Sequence, residues 1–305
     1  MKTKFTFLPL ILLATAFTLH AQDVDRPVED AAKHKLQAKQ NHNLPTLFLV
    51  GDSTMRVGTP GQRGWGDEMA AYFDLKLINV LNQAIGGRSS RTFQTEGRWD
   101  AVLAMVYPGD YVIIQFGHND GGAVNEKPPV TAKTRARASL RGVGEETQEI
   151  DNILTKKHEV VHTFGWYMRK YANDVKAKGA TPIILSLTTR NTWKDGKVGR
   201  ARPNNYGEWA ELAAKATGVL FIDHNDIIAS EFEKIGPEKT LPMFGDGRLH
   251  TSPAGAKLNA RLAVAGLKSV KELPLLNYLS DPGKAVPAHV PKSIPTAPAA
   301  REKGS

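Results

Sequence analysis

The chain contains no cysteine. Disulfides, thiol nucleophiles, cysteine-ligated zinc and a lipid-modified N-terminal cysteine are therefore excluded, and the fold must be held by packing alone. Aromatic residues make up only 8%. No apolar run reaches the ~20 residues that a membrane span needs, so no stable membrane anchor is expected. There are no internal repeats and no nucleic-acid-binding motif among the scattered lysines and arginines.

What is present reads as an exported globular protein. Lys2 and Lys4 precede an apolar stretch from Phe5 to Leu19, interrupted by Pro9, and His20-Ala21-Gln22 offers a cleavage point. This predicts a signal peptide over 1–21 and a secreted or periplasmic product. A polar leader (22–44), one domain (45–275) and a Pro/Ala/Lys-rich tail (276–305) follow. The chain's net charge of +9 falls to +7 without Lys2 and Lys4. Such a surface favours anionic partners. For an exported protein an acidic polysaccharide fits better than nucleic acid, although a merely solvated surface explains the charge as well. A monomer is expected.

Short aliphatic runs at Thr46–Val50, Leu77–Leu81, Tyr111–Phe116, Pro182–Leu187 and Val219–Ile222 predict five buried parallel strands. Helical patterns lie at Gly66–Phe73, Thr92–Val106, around Thr147–Lys178, Asn205–Ala216 and Ser252–Val270. Alternating strands and helices predict an α/β fold, a parallel sheet covered on both faces. Ligands then bind at the carboxyl ends of the strands, so the loops after each strand carry the chemistry.

Four such blocks stand out. Gly51-Asp52-Ser53 ends the first strand, where Ser53 is either a nucleophile or a helix cap. Gly86-Gly87-Arg88-Ser89-Ser90 follows the second, with glycines that open backbone N–H groups or simply turn the chain. Gly117-His118-Asn119-Asp120 follows the third, with Asn119 an oxyanion donor or a turn residue. Asp246 through Pro253 places His250 and an acid ahead of the last helix. Each is weak alone. In this order they supply the nucleophile, oxyanion donors and base of serine acyl transfer.

These blocks resemble the SGNH/GDSL hydrolases. Within them, Gly51–Thr54, Gly64-Trp65-Gly66, Gly86–Ser90, Asp110–Asp120 and His250–Ala256 look most like rhamnogalacturonan acetylesterases, over residues 45–270. The resemblance implies a flavodoxin-like three-layer α/β/α sandwich. It implies Ser53 as nucleophile, His250 as base, and an oxyanion hole of Ser53 N–H, Gly87 N–H and the Asn119 amide. No metal or cofactor enters that scheme. In the family the triad acid usually stands three residues before the histidine. Here Gly247 occupies that position and Asp246 lies four before. Either a loop with one extra residue brings Asp246 to the ring, or another group orients it. The implied substrate is an O-acetylated acidic pectin, with Arg88 as a carboxylate contact or a structural ion pair, and Trp65 as a sugar platform or a core residue. Another acetylated polysaccharide, such as xylan, remains open because fold does not fix substrate.

Two rivals belong to other classes. His158-Glu159-Val160-Val161-His162 matches H-E-x-x-H, which on a helix sets two histidines on one face for zinc, with Glu159 as base. Met168 stands where a metzincin needs its third histidine, and a thioether is a poor ligand for catalytic zinc. The bland alternative is a helix packing Val160, Val161, Phe164 and Met168 on the sheet. A carbohydrate-binding module with an inactive site is supported only by the offset of Asp246. An ordinary α/β-hydrolase lipase is disfavoured because the chain has no Gly-x-Ser-x-Gly elbow.

Overall fold

The structure is a computed structural model that describes residues 35–290. The expected signal peptide and the first part of the leader lie outside the described residues, as does the chain beyond 290. In chain order the strands are β1 (Thr46–Gly51), β2 (Asn79–Asn82), β3 (Tyr111–Gln115), β4 (Thr147–Asp151), β5 (His158–His162), β6 (Thr181–Leu185), β7 (Trp193–Lys194), β8 (Lys197–Val198) and β9 (Leu220–Ile222). The α-helices are α1 (Ser90–Thr95), α2 (Arg98–Leu103), α3 (Phe164–Ala177), α4 (Tyr206–Thr217), α5 (His224–Ile235), α6 (Pro237–Thr240), α7 (Pro253–Lys268) and α8 (Asp281–Ala285). The segment Trp65–Tyr72 is a 3-10 helix, tighter than the α-helix its spacing suggests.

Five strands form a parallel sheet in the order β2-β1-β3-β6-β9. The central strands are mostly apolar because both sheet faces are buried. Along β1, Leu47 and Leu49 point to one core and Phe48 and Val50 to the other, as the two-residue strand period requires. The first core packs under α5 and α7 with Ile228, Phe232, Ala260 and Leu267. The second packs under α1 to α4 with Phe93, Trp99, Phe164, Met168 and Trp209. The result is the three-layer α/β/α sandwich. The strand order reverses direction at β1, so the loops after β1, β2 and β3 meet at the switch point where such sheets bind ligands.

Several expectations are corrected. The region 147–178 is not one helix: β4 and β5 pair as an antiparallel hairpin, with Asp151 opposite His158 and Thr147 opposite His162, before α3 begins. The hairpin follows from period-two alternation in β5, where Val161 is buried and Val160 is 45% exposed. The helix over 92–106 is two helices, broken at Gly97, which adopts φ 73°. The domain does not end at residue 275, since Leu279 and Val286 join the first core. The described part of the polar leader, residues 35–44, is tied to the domain: Lys39 pairs with Asp110 at 3.0 Å, both side chains nearly buried.

Candidate active site

The turn after β1 presents Ser53. Asp52 shapes it, accepting the Thr54 N–H at 2.9 Å and the Thr54 hydroxyl at 2.8 Å on Oδ1. Burial pushes the Asp52 carboxyl above its ordinary range, against the pull of Thr54, His250 and Arg137. The floor beneath is Gln115, whose Oε1 accepts the Trp65 indole N–H at 3.0 Å and whose Nε2 donates to Ser186 O at 2.9 Å. Ser53 itself is only 6% exposed.

His250 lies 2.9 Å from Ser53 Oγ through Nε2 and 2.7 Å from Asp246 Oδ2 through Nδ1. The other carboxylate oxygen of Asp246 accepts three backbone N–H groups, from Arg248 (2.8 Å), Leu249 (2.7 Å) and His250 (3.1 Å). Desolvation pushes the Asp246 carboxyl up, but the Leu249 and Arg248 N–H groups, the His250 ring and the His250 N–H outweigh it and hold it at about 2. It is therefore an anion at neutral pH, suited to fix the Nδ1–H tautomer of His250 and to stabilise the imidazolium. The loop closes with Gly245 N–H donating to His250 O at 2.8 Å, and Gly247 turns through φ 72°. That left-handed residue absorbs the extra position between acid and base. Ser252 caps α7 immediately afterwards, with Pro253 at its first turn.

The residues expected as oxyanion donors sit on the turns after β1, β2 and β3. Gly87 adopts φ 77°. Among the described residues the N–H groups of Ser53 and Gly87 donate to no acceptor. Asn119 donates one amide hydrogen to Arg88 O at 3.0 Å, which fixes the carboxamide and leaves its second hydrogen. Three free N–H groups of this kind can hold a developing alkoxide.

Asp120 holds the Gly87 and Asn119 loops together, a role the sequence reading missed. It is buried, accepting from the Ser90 N–H at 3.1 Å and from Ser139 Oγ at 3.0 Å, and bonding the Ser90 hydroxyl. Burial raises it to about 6, against those hydrogen bonds. Arg137 was also missed: its guanidinium donates to Gly87 O at 3.0 Å. Their signal was the block itself, Asp120 beside Asn119, but Ser139 and Arg137 come from a loop that sequence could not bring there.

Two expected substrate contacts are corrected. Arg88 is fully buried, bonded to Glu96 at 2.9 Å and to Gly86 O at 3.0 Å, so it braces the glycine loop from behind. Trp65 is fully buried against the His224 ring with its indole N–H on Gln115, so no sugar can stack on it. The zinc reading loses its helix. On β5 the Cα atoms of His158 and His162 are separated by four strand residues, about 13 Å. Glu159 is spent in a buried ion pair with Arg91 at 2.7 Å, and the His162 ring stacks on Trp166 at 3.7 Å.

The family model for GDSL-like lipase/acylhydrolases matches residues 49–258. A rhamnogalacturonan acetylesterase of Emericella nidulans is 38% identical over 225 residues, 74% of this chain and 84% of that protein. A probable rhamnogalacturonan acetylesterase of Bacillus subtilis, YesY, is 29% identical over 236 residues, 75% of this chain and 94% of that one. The crystal structure of Bacillus subtilis YxiM is similar at a TM-score of 0.57 and 31% identity, covering 74% of this chain and 56% of that chain, so this chain spans little more than half of that longer protein.

Proposed function

This chain belongs to the GDSL-like lipase/acylhydrolase family and is an ester hydrolase, and from that premise we propose that it removes O-acetyl groups from an acidic pectic polysaccharide of the rhamnogalacturonan type, through an acyl-enzyme on Ser53, outside the cytoplasm. The observation that carries the reading is the chain of short contacts from Ser53 Oγ through His250 to Asp246. Serine needs an adjacent base to attack at neutral pH. His250 Nε2 takes the hydroxyl proton as Oγ adds to the acetyl carbonyl. The oxyanion accepts from Ser53 N–H, Gly87 N–H and Asn119 Nδ2. Collapse breaks the bond to the sugar oxygen, which leaves with the proton from His250. Water, deprotonated by the same nitrogen, then adds to the acyl carbon, and Ser53 Oγ leaves with that proton from His250 as acetate is released.

The substrate class is supported by the names of the relatives and by the basic charge of the chain. The test is acetate release from acetylated rhamnogalacturonan and from acetylated xylan, by wild type and Ser53→Ala, with and without a chelator. Release from the acidic polymer that Ser53→Ala abolishes and the chelator spares is expected. Release that ignores Ser53 overturns the mechanism, and preference for xylan overturns the substrate.

A further inference from the structure

The loop after β6 bonds both to the His118–Asn119 loop and to the Asp246–His250 loop. Thr188 Oγ1 lies 3.0 Å from His118 Nε2, beside Asn119. Three residues on, Asn191 donates its N–H to Arg248 O at 2.8 Å and its Nδ2–H to Gly247 O at 2.9 Å. Arg190 and Arg248 are thus carried on two loops bonded to one another, beside the Asp246–His250 pair.

The two guanidinium groups differ from five other arginines of the chain. Arg88, Arg91, Arg169, Arg200 and Arg202 each end on a carboxylate. Among the described residues the side chains of Arg190 and Arg248 have neither a hydrogen bond nor an ion pair. Arg190 is half-buried, and burial first, then the charge of Arg248, holds it below its ordinary range, with Asp52 and Asp246 acting in the opposite direction. Those two acids flank Ser53 and His250, so the field of Arg190 reaches the reacting groups. Asp246 is already committed to His250 and to three N–H groups. Two neighbouring guanidinium groups that no carboxylate bonds directly, one of them half-buried, make a site for an anion from outside. The guanidinium fork matches a carboxylate better than an ammonium would. His118 adds no third positive charge: burial, with Arg190 and His250 nearby, pushes it down to about 3.

We propose that Arg190 and Arg248 form the subsite that binds a substrate carboxylate, reading a uronate of the polysaccharide while an acetyl ester of that ring or its neighbour lies at Ser53. This rests on the acetylesterase reading above and names the residues that make the site select an acidic polymer over a neutral one.

The test compares acetylated rhamnogalacturonan with the same polymer after its carboxyl groups are reduced to alcohols. Wild type should favour the acidic form in kcat/KM by about 10- to 100-fold, the worth of a charge-assisted hydrogen bond, mainly through KM. In the Arg190→Gln/Arg248→Gln double variant that ratio should fall to near one. A wild-type ratio near one overturns the proposal. So does a ratio that survives in a double variant whose thermal midpoint matches wild type. A second arm needs no variant. Oligogalacturonate should inhibit wild-type hydrolysis of nitrophenyl acetate competitively at low salt, and its carboxyl-reduced form should not. Equal effects of the two overturn the subsite. Hydrolysis of nitrophenyl acetate through Ser53, with no acetate from either polymer, is instead the failure of the polysaccharide reading, and the inhibition arm still decides the subsite.

Discussion

Asp246 Oδ2 stands 2.7 Å from His250 Nδ1 although four residues separate them, while Asp246 Oδ1 gathers three N–H groups of the same turn. One carboxylate thus builds the loop and orients the ring. Asp246→Asn keeps the shape but offers an amide N–H where His250 needs an acceptor. It is expected to lower kcat by about three to four orders of magnitude. Steady-state kinetics on nitrophenyl acetate checks this, and a loss below ten-fold would remove Asp246 from the mechanism.

Asn119 is braced by Arg88 O, and the Arg88 side chain is held by Glu96. Asn119→Ala removes one oxyanion donor and should cost about two to three orders of magnitude in kcat with little change in KM. A rise in KM at constant kcat would make Asn119 a ground-state contact instead.

His224 gives a prediction about stability and pH. Its ring is buried, with Nε2 2.9 Å from Asn259 O and Nδ1 3.2 Å from Gln115 Nε2, and desolvation pushes it down to about 4. The unfolded chain therefore takes up a proton near the ordinary value of 6.5 that the folded chain refuses. Stability from the neutral ring is full above that pH and is lost as pH falls toward about 4, at about 1.4 kcal/mol per unit. Asp120, raised to about 6, acts with the opposite sign in the folded protein, so the difference between two proteins is the clean readout. Relative to His224→Gln, wild type should lose stability between pH 6.5 and 4 and run parallel above 7 in denaturant titrations. Parallel curves throughout would show that His224 does not carry this linkage.

The five-stranded sheet was legible because burial on both faces leaves continuous aliphatic runs, and the site blocks because three fall at the ends of strands and the fourth just ahead of the last long helix. What failed depended on distant partners. The segment 158–162 fits helical spacing by its histidines while its β-branched valines favour a strand, and only the partner strand 147–151 decides between them. Arg88 and Trp65 looked available until Glu96 and Gln115 were found to hold them. Arg190 is separated from Arg248 by more than fifty residues, and nothing local marks the pair. Helix α5 was overlooked despite a usable signal: Asp223 caps it, and Ile227, Ile228 and Phe232 face the core.

The buried pair Arg91–Glu159 separates structural from chemical roles in the H-E-x-x-H segment. Arg91 is fully buried and also donates to Val124 O and Ala138 O, both at 2.8 Å. Glu159→Ala strands that charge and should destabilise the protein by about 3–5 kcal/mol. At temperatures where it stays folded, kcat should remain within a few-fold of wild type. A folded but inactive Glu159→Ala would restore this segment as a catalytic site.

Strand β2 is an edge of the sheet, and an open edge exposes unpaired N–H groups to other chains. Here the polar segment before β1 closes part of it. Gln37 Oε1 accepts the Asn82 N–H at 2.8 Å, its own N–H donates to Gln83 Oε1 at 2.9 Å, and its carbonyl accepts from Gln83 Nε2 at 2.7 Å. The side chain thus stands in for a neighbouring strand, which explains why a segment without apolar periodicity is ordered. Gln37→Ala leaves the Asn82 N–H without its acceptor and should cost about 1–3 kcal/mol. Amide hydrogen exchange is the direct check. The Asn82 N–H should lose protection in Gln37→Ala, while the Leu47 and Phe48 amides of the adjacent strand keep theirs. Unchanged protection at Asn82 would mean that β2 is closed by something other than Gln37.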